Sequence, residues 1–216
     1  MARWRSCSCF SPLTRTRSKV EEVLLRTTQA TEETTMPNET VAPIHHARHP
    51  DDLATLAFAG VIAQSLQTSR QPLIRGLSET CFQSLLKEYF SGLACANGDG
   101  VGVGTAPYDE FDELVELLLE HRASSREQEG WLAYAIASAA MGENHLWQDM
   151  GLPSRKVLSD LMQTHFPTLA ARNTGDMKWK KFFYRQLCAR AGIPICKSPH
   201  CADCCDFRAC FGPEDA

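Results

Sequence analysis

The chain has 216 residues, of which 44% are hydrophobic and 22% charged, and its formal net charge is -4. This composition is typical of a soluble globular protein, and the slightly acidic balance gives no indication of nucleic-acid binding. No apolar run approaches the roughly 18 residues that a membrane-spanning helix needs. We therefore expect a cytoplasmic protein of one domain with a flanking tail, associated with neither nucleic acid nor membrane.

Residues 1–50 are predicted to form a weakly ordered N-terminal extension. They are rich in Thr, Ser, Arg, Glu and Pro and show no sustained apolar period. The start carries arginines but lacks the hydrophobic region of a secretory signal. We interpret Met36 as the true first residue, with an organelle transit peptide as the alternative. The three histidines within residues 45–49 are interpreted as part of a polar linker rather than a transient metal site.

Helical periodicity then dominates residues 51–193, and no strand pattern of comparable strength appears. Apolar residues recur at helical spacing behind capping residues, and Gly and Pro punctuate the segments. We predict helices beginning at Asp51, near Ser78 and near Asp109, over residues 127–141, from Pro153 to before Pro167, and from about Asp176 to Arg190. The chain is therefore predicted to be all-α.

Two stretches between these helices are predicted to be irregular. Residues 97–104 contain four glycines. A phosphate-binding loop would need a preceding strand and a following lysine, and neither is evident, so we interpret this stretch as a flexible loop. Residues 144–152 are interpreted as a short aromatic turn closed by Gly151. The helical domain is followed by a cysteine-rich loop over residues 194–216.

Half of the ten cysteines crowd into this final loop. They are Cys196, Cys201, Cys204, Cys205 and Cys210. A disulfide framework would need an export signal and cysteines spread along the chain. In a reducing compartment the clustered thiols are instead available as metal ligands. The sequence therefore indicates a metal site at the C-terminal end of the chain.

Four of these cysteines follow the spacing C-x4-C-x2-C-x5-C. Such short gaps let one loop wrap around a compact metal–sulfur core. Structural zinc more often uses two short cysteine pairs separated by a longer spacer, so the pattern favours an iron–sulfur cluster and leaves zinc as the alternative. The spacing also differs from the bacterial ferredoxin run, which argues against simple electron transfer. Cys205 is interpreted as a bystander, with ligation by it as the alternative.

The predicted helix before the loop has a basic side. At about 100° per residue, Lys178, Lys181 and Arg185 fall together, and an apolar set that includes Trp179 falls elsewhere. A solvated face would explain this stripe. The functional alternatives are that it offsets an anionic cluster, attracts an oxyanion or docks an acidic partner.

Three stretches taken together resemble the NifQ family of nitrogen-fixation proteins. They are residues 145–152 (HLWQDMGL), residues 177–188 (MKWKKFFYRQLC), and the cysteine loop that ends at Gly212. The resemblance covers roughly residues 51–212. The combination of an aromatic, basic helix with that cysteine spacing is more specific than the cysteine motif alone.

The resemblance implies a function that composition does not. NifQ proteins bind an iron–sulfur cluster, here expected to be of 3Fe-4S or 4Fe-4S type, that can hold molybdenum. They supply molybdenum for the iron–molybdenum cofactor of nitrogenase, with the NifEN scaffold and NifH as recipients and molybdate or a molybdenum donor as the source. Carried over, the cluster ligands are Cys196, Cys201, Cys204 and Cys210. His145 is considered as an additional ligand, although a buried, hydrogen-bonded histidine is the favoured interpretation.

We therefore expect a metallocluster carrier rather than an enzyme. The sequence has no evident Ser-His-Asp set, paired catalytic carboxylates or nucleotide fingerprint. Two alternatives remain from other classes, a structural zinc module for protein contact and an iron–sulfur electron-transfer partner.

Overall fold

The fold was obtained as a computed structural model, which describes residues 42–98, 110–193 and 201–214. Within these ranges all regular structure is helical, apart from one isolated antiparallel bridge between Ala47 and Phe90. The predicted all-α fold class is therefore confirmed. Among the described residues, no helix combines the length and hydrophobicity needed to cross a membrane.

The described residues form nine α-helices and two short 3-10 turns. The helices are α1 (Leu53–Gln67), α2 (Glu79–Tyr89), α3 (Phe111–Glu120), α4 (Glu127–Ala140), α5 (Leu146–Asp149), α6 (Arg155–His165), α7 (Pro167–Ala170), α8 (Trp179–Arg190) and α9 (Phe207–Phe211), and the turns are Pro43–His46 and Cys201–Asp203. Asp52, Ser78 and Ser154 cap α1, α2 and α6, because each side chain accepts a hydrogen bond from the backbone N–H three residues further on.

Helix α4 lies at the centre of the core and packs against α1, α2, α3 and α5. Its apolar residues are buried on every side, as in a helix surrounded by others, rather than along one stripe. Buried alanines at positions 133, 135, 137 and 139 let the neighbouring helices approach closely. The remaining core is filled by large side chains from the surrounding helices, including Phe58, Phe82, Phe111, Phe166 and Phe183.

A close backbone contact fixes the turn after α5 against α1. A Cβ atom on Gly60 would lie 2.0 Å from the carbonyl oxygen of Met150, so only glycine fits at this point of α1. Gly151 follows with φ +62°, a conformation that glycine adopts without strain. The short turn predicted over residues 144–152 therefore forms one helical turn, α5, held directly on the helical core.

The last long helix begins later than predicted. We expected a start at about Asp176, but α8 begins at Trp179. The Asn173 side chain accepts a hydrogen bond from the Met177 N–H and donates one to the Met177 carbonyl, and Asp176 has φ +51°. These contacts hold residues 176–177 outside helical geometry. The predicted end is confirmed, because Gly192 follows α8 with φ +66°.

Part of the predicted N-terminal extension contacts the helical domain. Pro43 is buried, the Arg48 N–H donates to the Tyr89 carbonyl at 2.9 Å, and the Ser91 N–H donates to the His46 carbonyl at 2.6 Å. Residues 42–50 thus pack near the end of α2. Residues 1–41, and residues 99–104 of the predicted glycine-rich loop, lie outside the described residues.

Candidate functional site

The C-terminal segment, residues 201–214, is a succession of tight turns that carries four cysteines. Cys201 opens a 3-10 turn, and the Cys204 N–H donates to the Cys201 carbonyl at 3.1 Å. The Phe207 N–H in turn donates to the Cys204 carbonyl at 3.1 Å, and α9 then carries Cys210. Short sequence gaps thus bring three predicted ligands onto one locally hydrogen-bonded segment.

This segment is fixed to the chain just before α8. The Lys178 N–H donates to the Cys210 carbonyl at 2.8 Å, which joins the segment to the start of the helix. A Cβ atom on Gly175 would lie 3.2 Å from Cε1 of Phe211, so the aromatic ring lies directly over this glycine. The site is therefore held by main-chain and ring contacts as well as by the turns within it.

Arg155 forms a second link between the segment and the start of α8. Its guanidinium donates to the Glu214 carboxylate at 2.7 Å and to the backbone carbonyl of Asp176 at 2.7 Å. Only 5% of the Glu214 side chain is exposed, so this ion pair is sheltered from solvent. Neither residue stands out in the sequence, because an arginine and a glutamate 59 positions apart form no recognisable motif.

The four described cysteines of the segment differ in their surroundings. Cys201, Cys204 and Cys210 are half-buried, whereas Cys205 is exposed. The Arg185 guanidinium lies 3.4 Å from the Cys201 sulfur and can donate to it. The Cys205 thiol instead donates to the carboxylate of Asp206 at 3.8 Å. Cys204 and Cys205 are therefore neighbours in sequence that occupy distinct environments.

The predicted four-cysteine ligand set stays a prediction. Cys196 lies outside the described residues. Within the described parts of the chain, no group of three or more His, Cys, Asp or Glu side chains is arranged to hold a single metal ion. The structure thus brings Cys201, Cys204 and Cys210 onto one anchored segment without assembling them around a common point.

His145, the additional candidate ligand, lies on a different element from the cysteines. It is half-buried at the start of α5, and its Nδ1 lies 3.7 Å from the Glu214 carboxylate. Its backbone N–H donates to the Gln148 side chain at 3.1 Å. The favoured interpretation, a histidine held by local polar contacts, agrees with this environment, although the side chain is less buried than expected.

The predicted basic stripe divides into two parts. Lys178 and Lys181 line an open cavity of about 460 Å³ between the start of α8, the α5 region and the C-terminal segment, which we call the basic cavity. Arg185 lies further along α8, at the Cys201 sulfur. A third lysine of the cavity, Lys180, was not singled out from the sequence, because a helical wheel places it away from the stripe.

Lys180 is held by partners within the helical domain. Its ammonium donates to the Asp149 carboxylate at 2.5 Å and to the Gly142 carbonyl at 2.8 Å. Asp149 also accepts hydrogen bonds from the Asn144 backbone and side chain. Lys180 therefore ties α8 to the loop between α4 and α5 and forms one wall of the basic cavity.

A second cavity, of about 480 Å³, lies at the opposite end of α8, and we call it the acidic groove. Three glutamates line it, Glu110, Glu113 and Glu116, together with Tyr184 and the last turn of α8. The pKa of Tyr184 is raised chiefly by the neighbouring Cys188, and burial and Glu110 act in the same direction. The three glutamates make the lining of this groove acidic.

Together the fold and the site define a class, an all-helical protein whose cysteine-bearing C-terminal segment is fixed against a lysine-rich helix start. A family model described as NifQ matches residues 57–212. The chain therefore belongs to the NifQ family, which confirms the resemblance seen in the sequence. The matched range includes all four predicted cluster ligands.

Individual relatives agree with this assignment. The NifQ protein of Azotobacter vinelandii is 38% identical over 155 residues, which cover 66% of this chain and 80% of that protein. The NifQ protein of Rhodobacter capsulatus is 46% identical over 47% of this chain and 57% of its own length. The NifQ homolog of Sinorhizobium fredii is 45% identical over 49% of this chain and 46% of its own length. No solved structure matches the chain.

Proposed function

We propose that this chain carries an iron–sulfur cluster that holds molybdenum, and that it supplies the molybdenum for assembly of the iron–molybdenum cofactor of nitrogenase. Membership of the NifQ family over residues 57–212 supports a role in nitrogen fixation and nitrogenase cofactor assembly. On this proposal the chain is a cytoplasmic carrier rather than an enzyme, and the NifEN scaffold and NifH are the recipients.

One observation carries the proposal: the thiols of Cys201, Cys204 and Cys210 lie on a segment that is anchored to α8. With Cys196 they would hold the cluster. Thiolate and sulfide are soft ligands that suit iron and reduced molybdenum, so the donor set fits the group in kind. The Arg185 guanidinium would offset negative charge at the Cys201 sulfur.

The surroundings of the adjacent cysteines support Cys204 as the ligand. Cys204 is half-buried in the turn that links Cys201 to α9, whereas the exposed Cys205 thiol donates to Asp206. A cluster ligand benefits from a sheltered site with fixed geometry. We therefore assign the third ligand position to Cys204 and treat Cys205 as its natural control.

The test is the metal content of protein purified without air from cells supplied with molybdate. We expect iron, acid-labile sulfide and molybdenum in the wild type. Cys204→Ala should lose most of the iron and sulfide, and Cys205→Ala should keep them. The reverse pattern would show that Cys205 is the ligand.

The same measurement separates the other functions. Colourless protein with stoichiometric zinc would favour a structural zinc module and contradict the proposal. Iron and sulfide without molybdenum, and without transfer of molybdenum to NifEN, would favour an electron-transfer partner. Correctly folded protein with neither iron nor sulfide, and no ability to take them up, would contradict the cluster itself.

A further inference from the structure

We propose that the basic cavity is a binding site for a tetrahedral oxyanion, separate from the cysteine ligands. The cavity is open and of about 460 Å³, and its lining includes Lys178, Lys180, Lys181 and His145. The size of the cavity and its lysine lining indicate the class of ligand, an oxyanion. That the oxyanion is molybdate rests on the function proposed above.

The charges of the cavity do not cancel. Lys180 is paired with Asp149, and Glu214 is paired with Arg155. Across the described residues, neither Lys178 nor Lys181 makes an ion pair, and these two lysines face one other carboxylate of the lining, Glu143. Two cations against one carboxylate leave a positive excess inside a concave site. Low-dielectric walls concentrate such a field and attract anions.

All three lysines of the cavity lie at the N-terminal end of α8, where a helix disfavours cations. Lys178 is the residue before α8, and Lys180 and Lys181 lie in its first turn, which has no acidic residue and no side-chain cap. The partial positive charge of a helix start is normally complemented by Asp or Glu. Three lysines at this end oppose the stability of the isolated helix, and a bound dianion would compensate both the lysines and the helix start.

The position of the cavity connects it to the cysteine segment. Ala209, the neighbour of Cys210, lines the cavity, and the Lys178 N–H donates to the Cys210 carbonyl. Molybdate is a hard oxyanion, which suits ammonium groups better than thiolates, whereas reduced molybdenum suits sulfur. The arrangement therefore places an entry site for the oxyanion beside the segment proposed to hold the cluster.

Equilibrium dialysis of the full chain tests this proposal. Protein is prepared from cells grown without added molybdate and dialysed against sodium molybdate in chloride buffer, with no added reductant. We expect one saturable site per chain. The double variant Lys178→Gln, Lys181→Gln should bind at least tenfold more weakly, with unchanged helicity by circular dichroism.

Lys156 provides the matched control. It lies in the first turn of α6, is exposed, and does not line the basic cavity. Lys156→Gln should bind molybdate like the wild type. Absence of saturable binding in the wild type, equal binding in the double variant, or equal weakening by Lys156→Gln would overturn the proposal. Sulfate, a tetrahedral dianion, should compete. Equal competition by the planar monoanion nitrate would overturn the assignment to a tetrahedral dianion.

A second pair of measurements separates this proposal from the function above. The lysine double variant should still take up iron and sulfide, and Cys204→Ala should still bind molybdate in the cavity. If no variant or wild-type protein holds iron while molybdate binding depends on the two lysines, the cluster proposal fails and the oxyanion site stands. If iron loading is normal and the lysines have no effect on molybdate, the oxyanion site fails alone.

Discussion

The two ends of α8 carry opposite kinds of surface. Its N-terminal end faces the basic cavity, which is lined by three lysines and the C-terminal segment. Its C-terminal end faces the acidic groove, which is lined by three glutamates of the α3 region. A single 12-residue helix therefore separates a site that attracts anions from one that repels them.

Helix electrostatics explains the acidic groove but not the basic cavity. Arg190 lies in the last turn of α8, where a cation is favourable, and pairs with Glu120. Two of the three glutamates of the groove, Glu110 and Glu113, lie at the start of α3, where anions are favourable. By contrast, the lysines at the start of α8 are unfavourable for that helix. Charges at the helix end that they destabilise are a better indication of a binding role than charges at the end that they stabilise.

The largest expected effect comes from removing the backbone contact behind the basic cavity. In Gly60→Ala the new methyl group would meet the Met150 carbonyl at 2.0 Å, and neither backbone can move cheaply. We expect unfolding free energy to fall by about 3 kcal/mol, measured by urea denaturation. Because Gly151 and α5 rest on this contact, oxyanion binding should weaken as well.

Gly130 gives the matched control for this substitution. It lies inside α4, and a Cβ atom there would meet nothing within 4 Å. Gly130→Ala should therefore stabilise the protein by about 0.5–1 kcal/mol, since alanine costs less backbone entropy in a helix. Equal effects of the two substitutions would show that the contact between Gly60 and Met150 does not fix the wall of the cavity.

A smaller effect is expected when Lys180 is replaced. Lys180→Met leaves the Gly142 carbonyl and one oxygen of Asp149 without the ammonium donor, and only 11% of the Asp149 side chain is exposed. We expect a loss of about 1–2 kcal/mol in unfolding free energy. Lys156→Met, which removes an exposed pair with Asp160, should cost about 0.5 kcal/mol or less. If Lys180→Met leaves the unfolding free energy unchanged, Lys180 has no structural role and belongs with Lys178 and Lys181 as an anion-binding lysine.

The smallest expected effect tests the contrast between the two ends of α8 most directly. Lys181→Gln removes a cation from the positive end of α8, and Arg190→Gln removes one from the negative end. The first should stabilise and the second destabilise the protein, each by about 0.3–1 kcal/mol at low salt. Thermal denaturation at low and high salt measures both. Shifts of the same sign would contradict the contrast between the two ends.

Most helices could be predicted because their signals are local. Capping residues at positions 52, 78 and 154, and glycines at 151 and 192, act within a few residues of the helix ends they define. The start of α8 was predicted too early, because Asn173 holds residues 176–177 through side-chain hydrogen bonds that leave no periodic pattern. Helix α7 was not anticipated, although Pro167 suits the first position of a helix.

The sequence alone determined the helical class, the family and which cysteines are candidate ligands. Periodicity, capping and cysteine spacing are all patterns within short stretches of sequence. It could also place Lys178, Lys181 and Arg185 on one side of a helix. Only the tertiary structure decided that two of them line a cavity while the third reaches the Cys201 sulfur. The pairings of Lys180 with Asp149 and of Arg155 with Glu214 join residues 31 and 59 positions apart, and packing alone brings such distant groups together.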